Sequence, residues 1–253
     1  MIGFAYALPI VWGTGHSSIL RNMDRPPKDK SAGDIAHYIA KAVVSAIPTA
    51  GGPLQVLLET IFSAPLEKRK LAWLEELADV VTELQQKVAG LTPEKLAANE
   101  AFITVALQAS QIAIRNHHKD KLDALRNAVL NSALPNPPEE DEQLIFLRLI
   151  DQLIPWHLRF LALLDSPEGW MTRHDIQNPG WSMGGVSTVI EHCFPDLKGK
   201  RDIYDQIVLD LQADGLIQQG QFVHVTMSGQ GMMASRTTNR GKRFLKFISA
   251  PGQ

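Results

Sequence analysis

Residues 99–134 read NEAFITVALQASQIAIRNHHKDKLDALRNAVLNSAL, a stretch that contains neither proline nor glycine. Apolar side chains recur in it at helical spacing, first over Phe102–Ala113 and again over Leu122–Leu130. The polar run His117–Asp120 separates the two patterns and predicts an exposed turn. Two successive amphipathic helices need neighbours that cover their apolar faces, so this stretch predicts a helical bundle.

The preceding segment carries further helical patterns. Apolar residues recur at every fourth position over Ile35–Ile47, and a longer apolar stripe runs over Leu66–Val88. Gly90 lies where a helix C-cap belongs, and the pair Thr92-Pro93 is typical of a helix start. We therefore expect helices on the N-terminal side of the stretch as well.

The run Pro135-Asn136-Pro137-Pro138 is the clearest helix breaker in the chain. A helix with an apolar stripe is expected to follow it, because the acidic run Glu139–Glu142 complements the dipole at a helix N-terminus. Pro155 ends or kinks that helix. Together these patterns predict an α-helical bundle over residues 31–154.

The pattern changes after Pro155, and residues 155–253 predict a second module. Helices are expected over Trp156–Leu164, Val186–Phe194 and Arg201–Asp214, with a loop at Ser166–Gly169. Gly215 closes the third of these helices.

A strand hairpin and a last helix are expected to complete this module. The strands are predicted near Gln221–Thr226 and Met232–Thr237, around a glycine-rich tip, and Thr238 is the predicted N-cap of the last helix. Three helices, a hairpin and a helix are the order of a winged helix-turn-helix. The predicted fold class is therefore mainly α, a helical bundle with a C-terminal winged-helix module.

The run TNRGKRFL, residues 238–245, resembles the Thr-x-x-Gly-x-x-Phe-Leu motif that closes the wing in many bacterial winged-helix domains. In it, threonine caps the helix and Gly241 lets the backbone approach its neighbour closely. Residues 42–248 also resemble a family of uncharacterised bacterial proteins in which a helical bundle precedes such a module. The motifs that carry this resemblance are Leu125–Val129, Pro155–Arg159 and Ser235–Thr238. The resemblance implies an architecture and no activity.

Composition limits the classes of function. Of the 253 residues, 45% are hydrophobic and 21% are charged, which excludes overall disorder. The formal net charge of −2 gives no signature of polyanion binding. Motifs of nucleophilic hydrolases, P-loop enzymes and zinc proteases are missing from the sequence. We therefore expect a non-enzymatic protein with no catalytic residues, no metal site and no cofactor.

Residues 1–30 form a separate N-terminal segment. Ile2–Trp12 is apolar, lacks a basic flank and is too short to span a bilayer. A strand, a packing arm and a degenerate export signal all fit this pattern. Without a convincing export signal, and with Cys193 as the only cysteine, we expect a cytoplasmic protein.

Cys193 and the histidines are the residues that invite a metal or nucleophile hypothesis. A lone cysteine excludes an internal disulfide and a cysteine-based zinc finger. His174, His192 and Cys193 could meet only through the tertiary fold. We expect Cys193 to be a small buried apolar residue.

The winged-helix prediction raises DNA binding, which charge counting does not favour. Residues 166–253 contain nine Lys or Arg against eight Asp or Glu. The candidate contact residues for a partner or nucleic acid are the basic ones near the C-terminus: Arg236, Arg240, Lys242, Arg243 and Lys246. The predicted recognition helix carries four acids that would lie near phosphates: Asp202, Asp205, Asp210 and Asp214. Weak, non-specific DNA binding is the most that we expect.

Residues 42–58 contain no charged side chain. Two apolar half-helices joined by the turn residues Pro48, Gly51, Gly52 and Pro53 predict either a core hairpin or a hairpin that inserts into a membrane. Our favoured hypothesis is a protein that acts through contacts with a protein partner or by self-association, as a sensing or regulatory component. The alternatives are a winged-helix DNA-binding regulator and a membrane-active effector that uses the hairpin.

Overall fold

The computed structural model describes residues 64–251, and the chain there is mainly α-helical. The helices are α1 (Ala64–Lys87), α2 (Pro93–Ala97), α3 (Glu100–Arg115), α4 (Lys119–Ser132), α5 (Glu140–Gln152), α6 (Pro155–Asp165), α7 (Pro167–Arg173), α8 (Val186–Cys193), α9 (Arg201–Ala213), α10 (Gly229–Met232) and α11 (Asn239–Ile248). Two short strands, β1 (Met183–Gly184) and β2 (Met227–Ser228), pair antiparallel, and a 3₁₀ turn covers Pro195–Leu197. The mainly helical fold class is confirmed.

Helix α3 lies at the centre of the bundle, packed against α1, α4 and α5. Its side chains Val105, Ala106 and Ala109 are fully buried. Small side chains at two of these positions allow neighbouring helices to approach closely. A buried hydrogen bond adds specificity between α1 and α3, because the indole N–H of Trp73 donates to Ser110 Oγ at 2.9 Å.

Several boundaries agree with the sequence patterns. The predicted turn between the two central helices covers residues 116–118. Gly90 has a φ of +81°, as a helix-terminating glycine requires, and the Thr92 side chain caps α2. The N-terminal segment 1–30, the first predicted helix and the 42–58 hairpin lie outside the described residues.

The loop predicted at Ser166–Gly169 is wrong, since a helix begins there. Ser166 Oγ accepts a hydrogen bond from the Gly169 amide at 3.2 Å, and Pro167 occupies the first turn of α7. A serine cap followed by proline is a helix-start signal in the same way as Thr92-Pro93.

The hairpin predicted between Gln221–Thr226 and Met232–Thr237 is also wrong. A minimal antiparallel ladder instead joins residues 216–218 to residues 236–238. The Gln218 amide donates to the Arg236 carbonyl at 2.7 Å, and the Thr238 amide donates to the Leu216 carbonyl at 3.0 Å. We call the segment Gln218–Ser235, which begins at the last ladder residue and ends before Arg236, the wing loop.

Local packing explains why the predicted strands do not form. Phe222 and Val223 are adjacent and both buried, which does not fit the strand of a hairpin that has one solvent-facing side. The Val223 carbonyl accepts from the Ser187 amide at the start of α8, so it needs no partner strand. Further along, Ser228 caps the short helix α10 through the Gly231 amide.

Helix α11 packs against α4 of the bundle and also contacts α6. Phe244 and Phe247 of α11 are buried around the fully buried Phe146 of α5, with ring centroids 5.4 and 5.6 Å away. One apolar core therefore runs through α5 and α11. The domain boundary at residues 154/155 stays a prediction.

Candidate partner-binding surface

Helix α11 is positioned by the two residues that its sequence motif singled out. Thr238 Oγ1 accepts from the Gly241 amide at 3.0 Å and donates to the Gly215 carbonyl at 2.7 Å. A Cβ on Gly241 would collide with the Leu216 carbonyl oxygen and would lie 2.6 Å from Thr237 Cγ2. The predicted cap and the predicted close approach are both present.

The five candidate basic residues do not form one surface. Arg236 is half-buried inside the wing loop, where its Nη2 donates to the Gly231 carbonyl at 2.7 Å and its guanidinium lies 5.3 Å from the ring centre of Phe222. Arg240 is half-buried close to Gly215. Neither side chain extends freely toward a partner.

The other three, Lys242, Arg243 and Lys246, are exposed on one side of α11, and we call them the α11 stripe. Arg243 Nε donates to Glu142 Oε1 at 2.8 Å, so this contact anchors the stripe to α5. The stripe keeps a net positive charge because one carboxylate faces three cations. Surface pairs of this kind contribute little to stability, and the charge remains accessible.

A cavity of about 450 Å³ borders the stripe, and we call it the α11 cavity. Its apolar wall includes Leu134, Phe247 and the prolines of the 135–138 breaker, and Arg243 and Lys246 lie at its rim. Asn131 holds this end of α11, since its Nδ2 lies 2.8 Å from the carbonyls of both Phe247 and Ser249. The breaker thus shapes an apolar recess beside a basic stripe.

Helix α9 exposes apolar and acidic side chains, in contrast to the basic α11 stripe. Its outward side carries Leu209 at 56% exposure and Ile203 at 42%, with Asp202, Gln206 and Ala213 also exposed; we call these five residues the α9 face. The sequence pattern alone missed this face because Ile207, Val208 and Leu209 are consecutive apolar residues, which do not show which side of the helix is buried. Single exposed aliphatic side chains are common on protein surfaces, so the α9 face is a candidate contact surface because it combines Leu209 with the carboxylate of Asp202 on the same side.

Two of the four acids predicted to repel phosphate have partners within the fold. Asp205 lies 2.7 Å from His224 Nε2 and 3.3 Å from Arg201 Nε. Asp210 accepts from His157 Nε2 at 3.0 Å, and His157 Nδ1 accepts from the Ile154 amide, which places the imidazole proton on Nε2. This buried histidine therefore joins α6 to α9. Asp202 is exposed on the α9 face.

The wing loop Gln218–Ser235 contains no Lys, Arg, Asp or Glu. Its one titratable side chain is His224, and the first cation after it, Arg236, turns back into the loop. Phosphate neutralisation dominates the affinity of proteins for DNA. The wing loop has no lysine or arginine with which to neutralise DNA phosphates, so it does not favour DNA binding.

The three residues considered for a metal site do not converge on one. Within residues 64–251 there is no group of three or more His, Cys, Asp or Glu side chains with metal-binding geometry. His192 Nε2 instead lies 2.9 Å from the Gln177 carbonyl. Cys193 is buried, and burial raises the pKa of its thiol from the ordinary 9.0 to about 11.

The raised pKa of Cys193 predicts a loss of stability at alkaline pH. Between pH 9 and about 11 the unfolded chain releases the thiol proton while the folded chain keeps it, so the free energy of unfolding falls as pH rises. We expect Cys193→Ala to remove this component, up to about 2–3 kcal/mol. Urea unfolding of both proteins at pH 8 and pH 11 measures it, and identical losses in the two proteins would contradict the assignment.

The hairpin residues Pro48, Gly51, Gly52 and Pro53 lie outside the described residues. Among residues 64–251, every helix is too short or too polar to cross a membrane.

Because this chain matches no known protein, its function must be argued from its own surface residues. The resemblance to a bacterial family stays a prediction. No protein-family model matches this chain, and neither the curated proteins nor the solved structures contain a match to it.

Proposed function

We propose that this is a non-enzymatic protein that acts through protein–protein contacts, and that the partner of its α9 face is a second copy of the same chain. The observation that carries the proposal is Leu209, a large aliphatic side chain that is 56% exposed on a helix whose outward side also presents Asp202. Burying such a side chain against a partner releases about 25 cal/mol per Å² of apolar surface.

In this proposal the α9 face of one copy docks at the α11 cavity of another. Leu209 would enter the apolar recess formed by Leu134 and Phe247. Asp202 would meet the α11 stripe, whose Lys242 and Lys246 supply opposite charge and apolar stems. Two different surfaces of one chain then meet, which is a heterologous contact and supports assemblies beyond a dimer.

For residues 155–253 we also propose a winged-helix architecture. Its support is the order of α8, α9, the short ladder at residues 216–218 and 236–238, and α11. In this arrangement α9 occupies the recognition-helix position. Its exposed apolar and acidic side chains favour protein over DNA as the partner.

The proposal is tested by sedimentation velocity on the whole protein between about 5 and 500 µM, a range suited to weak transient contacts. We expect concentration-dependent association of the natural protein. Leu209→Lys, Asp202→Lys and Lys242→Glu should each weaken it at least about tenfold, equivalent to 1.4 kcal/mol. The matched control is Leu71→Lys, because Leu71 is equally exposed, at 57%, but lies on α1.

A charge exchange separates a direct contact from general charge effects. The double variant Asp202→Lys with Lys242→Glu carries reversed charges on both surfaces and should associate better than either single variant. A natural protein that stays monomeric throughout, or a double variant no better than the singles, would overturn self-association through these surfaces.

The rival function, DNA regulation, is favoured by one observation. Lys198, Lys200 and Arg201 are exposed at the start of α9. Binding to random duplex DNA at two salt concentrations separates the hypotheses, and we expect weak binding that disappears at physiological salt. Sequence-selective, sub-micromolar affinity at physiological salt would replace the protein-contact proposal.

A further inference from the structure

A second cavity, of about 540 Å³, lies between α4, α6, α7 and α8. This volume is within the range of small-molecule sites in proteins. Leu158, Ile176 and Cys193 supply apolar lining. The cavity is separate from the α9 face and the α11 cavity, so ligand binding in it does not depend on the proposed self-association.

Aromatic rings form one wall of this cavity. Trp170 and Phe194 line it with ring centroids 5.5 Å apart, and His174 stacks on Trp170 at 3.8 Å. Phe194 is itself stacked on the fully buried Phe160 at 5.2 Å. The Trp170 and Phe194 rings stand at 66° to each other, so a planar ligand ring would pack flat on one of them and edge-on to the other, against side chains that the fold already holds in place.

Two of the aromatic residues also carry polar groups, of which only that of His174 is open to a ligand. His174 Nδ1 lies 2.8 Å from the Trp170 carbonyl, so the neutral ring carries its proton on Nδ1 and leaves Nε2 as an acceptor. The indole N–H of Trp170 is buried and donates to no acceptor among residues 64–251. A buried donor without a partner costs free energy, so the wall is not fully satisfied by the fold itself.

Arg159 and Asp120 both line the cavity and form an ion pair there. Arg159 Nε donates to Asp120 Oδ2 at 2.6 Å, and the Arg159 guanidinium lies 5.1 Å from the ring centre of Trp156. These contacts hold the guanidinium in place. Within residues 64–251 its two terminal amino groups have no hydrogen-bond acceptor, and their geometry suits a carboxylate.

From this juxtaposition we propose that the cavity binds a planar aromatic carboxylate, with its ring against Trp170 and Phe194 and its carboxylate on Arg159. A single negative charge suits the site because Asp120 already offsets part of the charge of Arg159. The Asp120 carboxylate would repel a dianion, such as a phosphate monoester, more strongly than a monoanion. The apolar residues Leu158 and Ile176 exclude a strongly hydrated ligand from the rest of the cavity.

Isothermal titration calorimetry with 2-naphthoate as the probe tests this site on the whole protein. We expect 1:1 binding, and at least about tenfold weaker binding of 2-naphthamide, which keeps the ring system but lacks the charge. Arg159→Gln should weaken naphthoate about tenfold and leave naphthamide unchanged. The matched control is Arg148→Gln, since Arg148 is exposed on α5 and does not line the cavity. His174→Ala should weaken both compounds, because it removes part of the stacked wall.

Cys193 reports where the probe binds. Because its thiol lines the cavity, saturating naphthoate should slow its alkylation by iodoacetamide severalfold in the natural protein and not in Arg159→Gln, at about pH 10, where the thiolate begins to form. Circular dichroism confirms that each variant is folded, and loss of this exposed side chain is not expected to unfold the protein. Absence of binding, equal affinity for the amide, or unchanged affinity in Arg159→Gln would each overturn the proposal.

Discussion

Phe146→Ala is expected to lower the free energy of unfolding by about 3–5 kcal/mol, as full truncation of a buried phenylalanine does. Phe146 has no solvent exposure, and its ring contacts those of Phe244 and Phe247 edge-on or tilted. The substitution therefore leaves a cavity where α5 meets α11. Urea unfolding followed by circular dichroism and by tryptophan fluorescence measures the loss.

The matched control is Ile145→Ala on the same helix, where the side chain is 37% exposed and the expected cost is below about 1 kcal/mol. Hydrogen exchange supplies a second measurement. Because Phe146 belongs to the bundle and Phe244 to the last helix, amides of both α5 and α11 should lose protection together. If α11 keeps its protection in Phe146→Ala, the two helices do not depend on a shared core.

Gly241→Val is expected to cost about 3 kcal/mol or more, at the upper end of what overpacking costs. A side chain at this position collides with the Leu216 carbonyl oxygen and with Thr237 Cγ2. Neither neighbour can move easily, since both belong to the ladder that closes the wing loop. The collision therefore separates α11 from residues 216–218 or opens the ladder. Thermal unfolding of the whole protein measures the effect.

Lys242→Val is the matched control for Gly241→Val. It introduces the same β-branched side chain at the next position of α11, which is exposed, so only helix propensity changes, by well under about 1 kcal/mol. Measurements at low protein concentration keep self-association out of the comparison. Equal melting temperatures for Gly241→Val and the natural protein would contradict the close approach.

Most of the successful predictions used local signals, although the local cap at Ser166-Pro167 was misread as a loop. Thr238 and Gly241 could be assigned as cap and close-approach residues because a helix cap needs only the residues of its own turn. Likewise, the period of the apolar residues over 99–134 predicted α3, α4 and the turn between them, since each face of a helix repeats within a few residues.

Prediction failed where distant contacts compete with local preference. The segment around Phe222 and Val223 looked like a strand, but its carbonyl at Val223 is satisfied by the start of α8. Arg236 looked like a contact residue, but it folds back onto Gly231 and Phe222. In both cases the contact is made by the folded chain, and the spacing of residues along the sequence does not predict it.

Periodicity and backbone geometry act over a few residues, and they sufficed to predict amphipathic helices, most of the helix starts, and the roles of Thr238 and Gly241 in the last helix. Which side chains stay free to contact a partner depends on the packed fold. It joined α11 to the bundle through Phe146, removed Arg236 from the basic cluster and left Leu209 exposed on α9. The physical reason is that burial and charge pairing depend on every element packed around a side chain, and the sequence pattern of one element describes only its own periodicity.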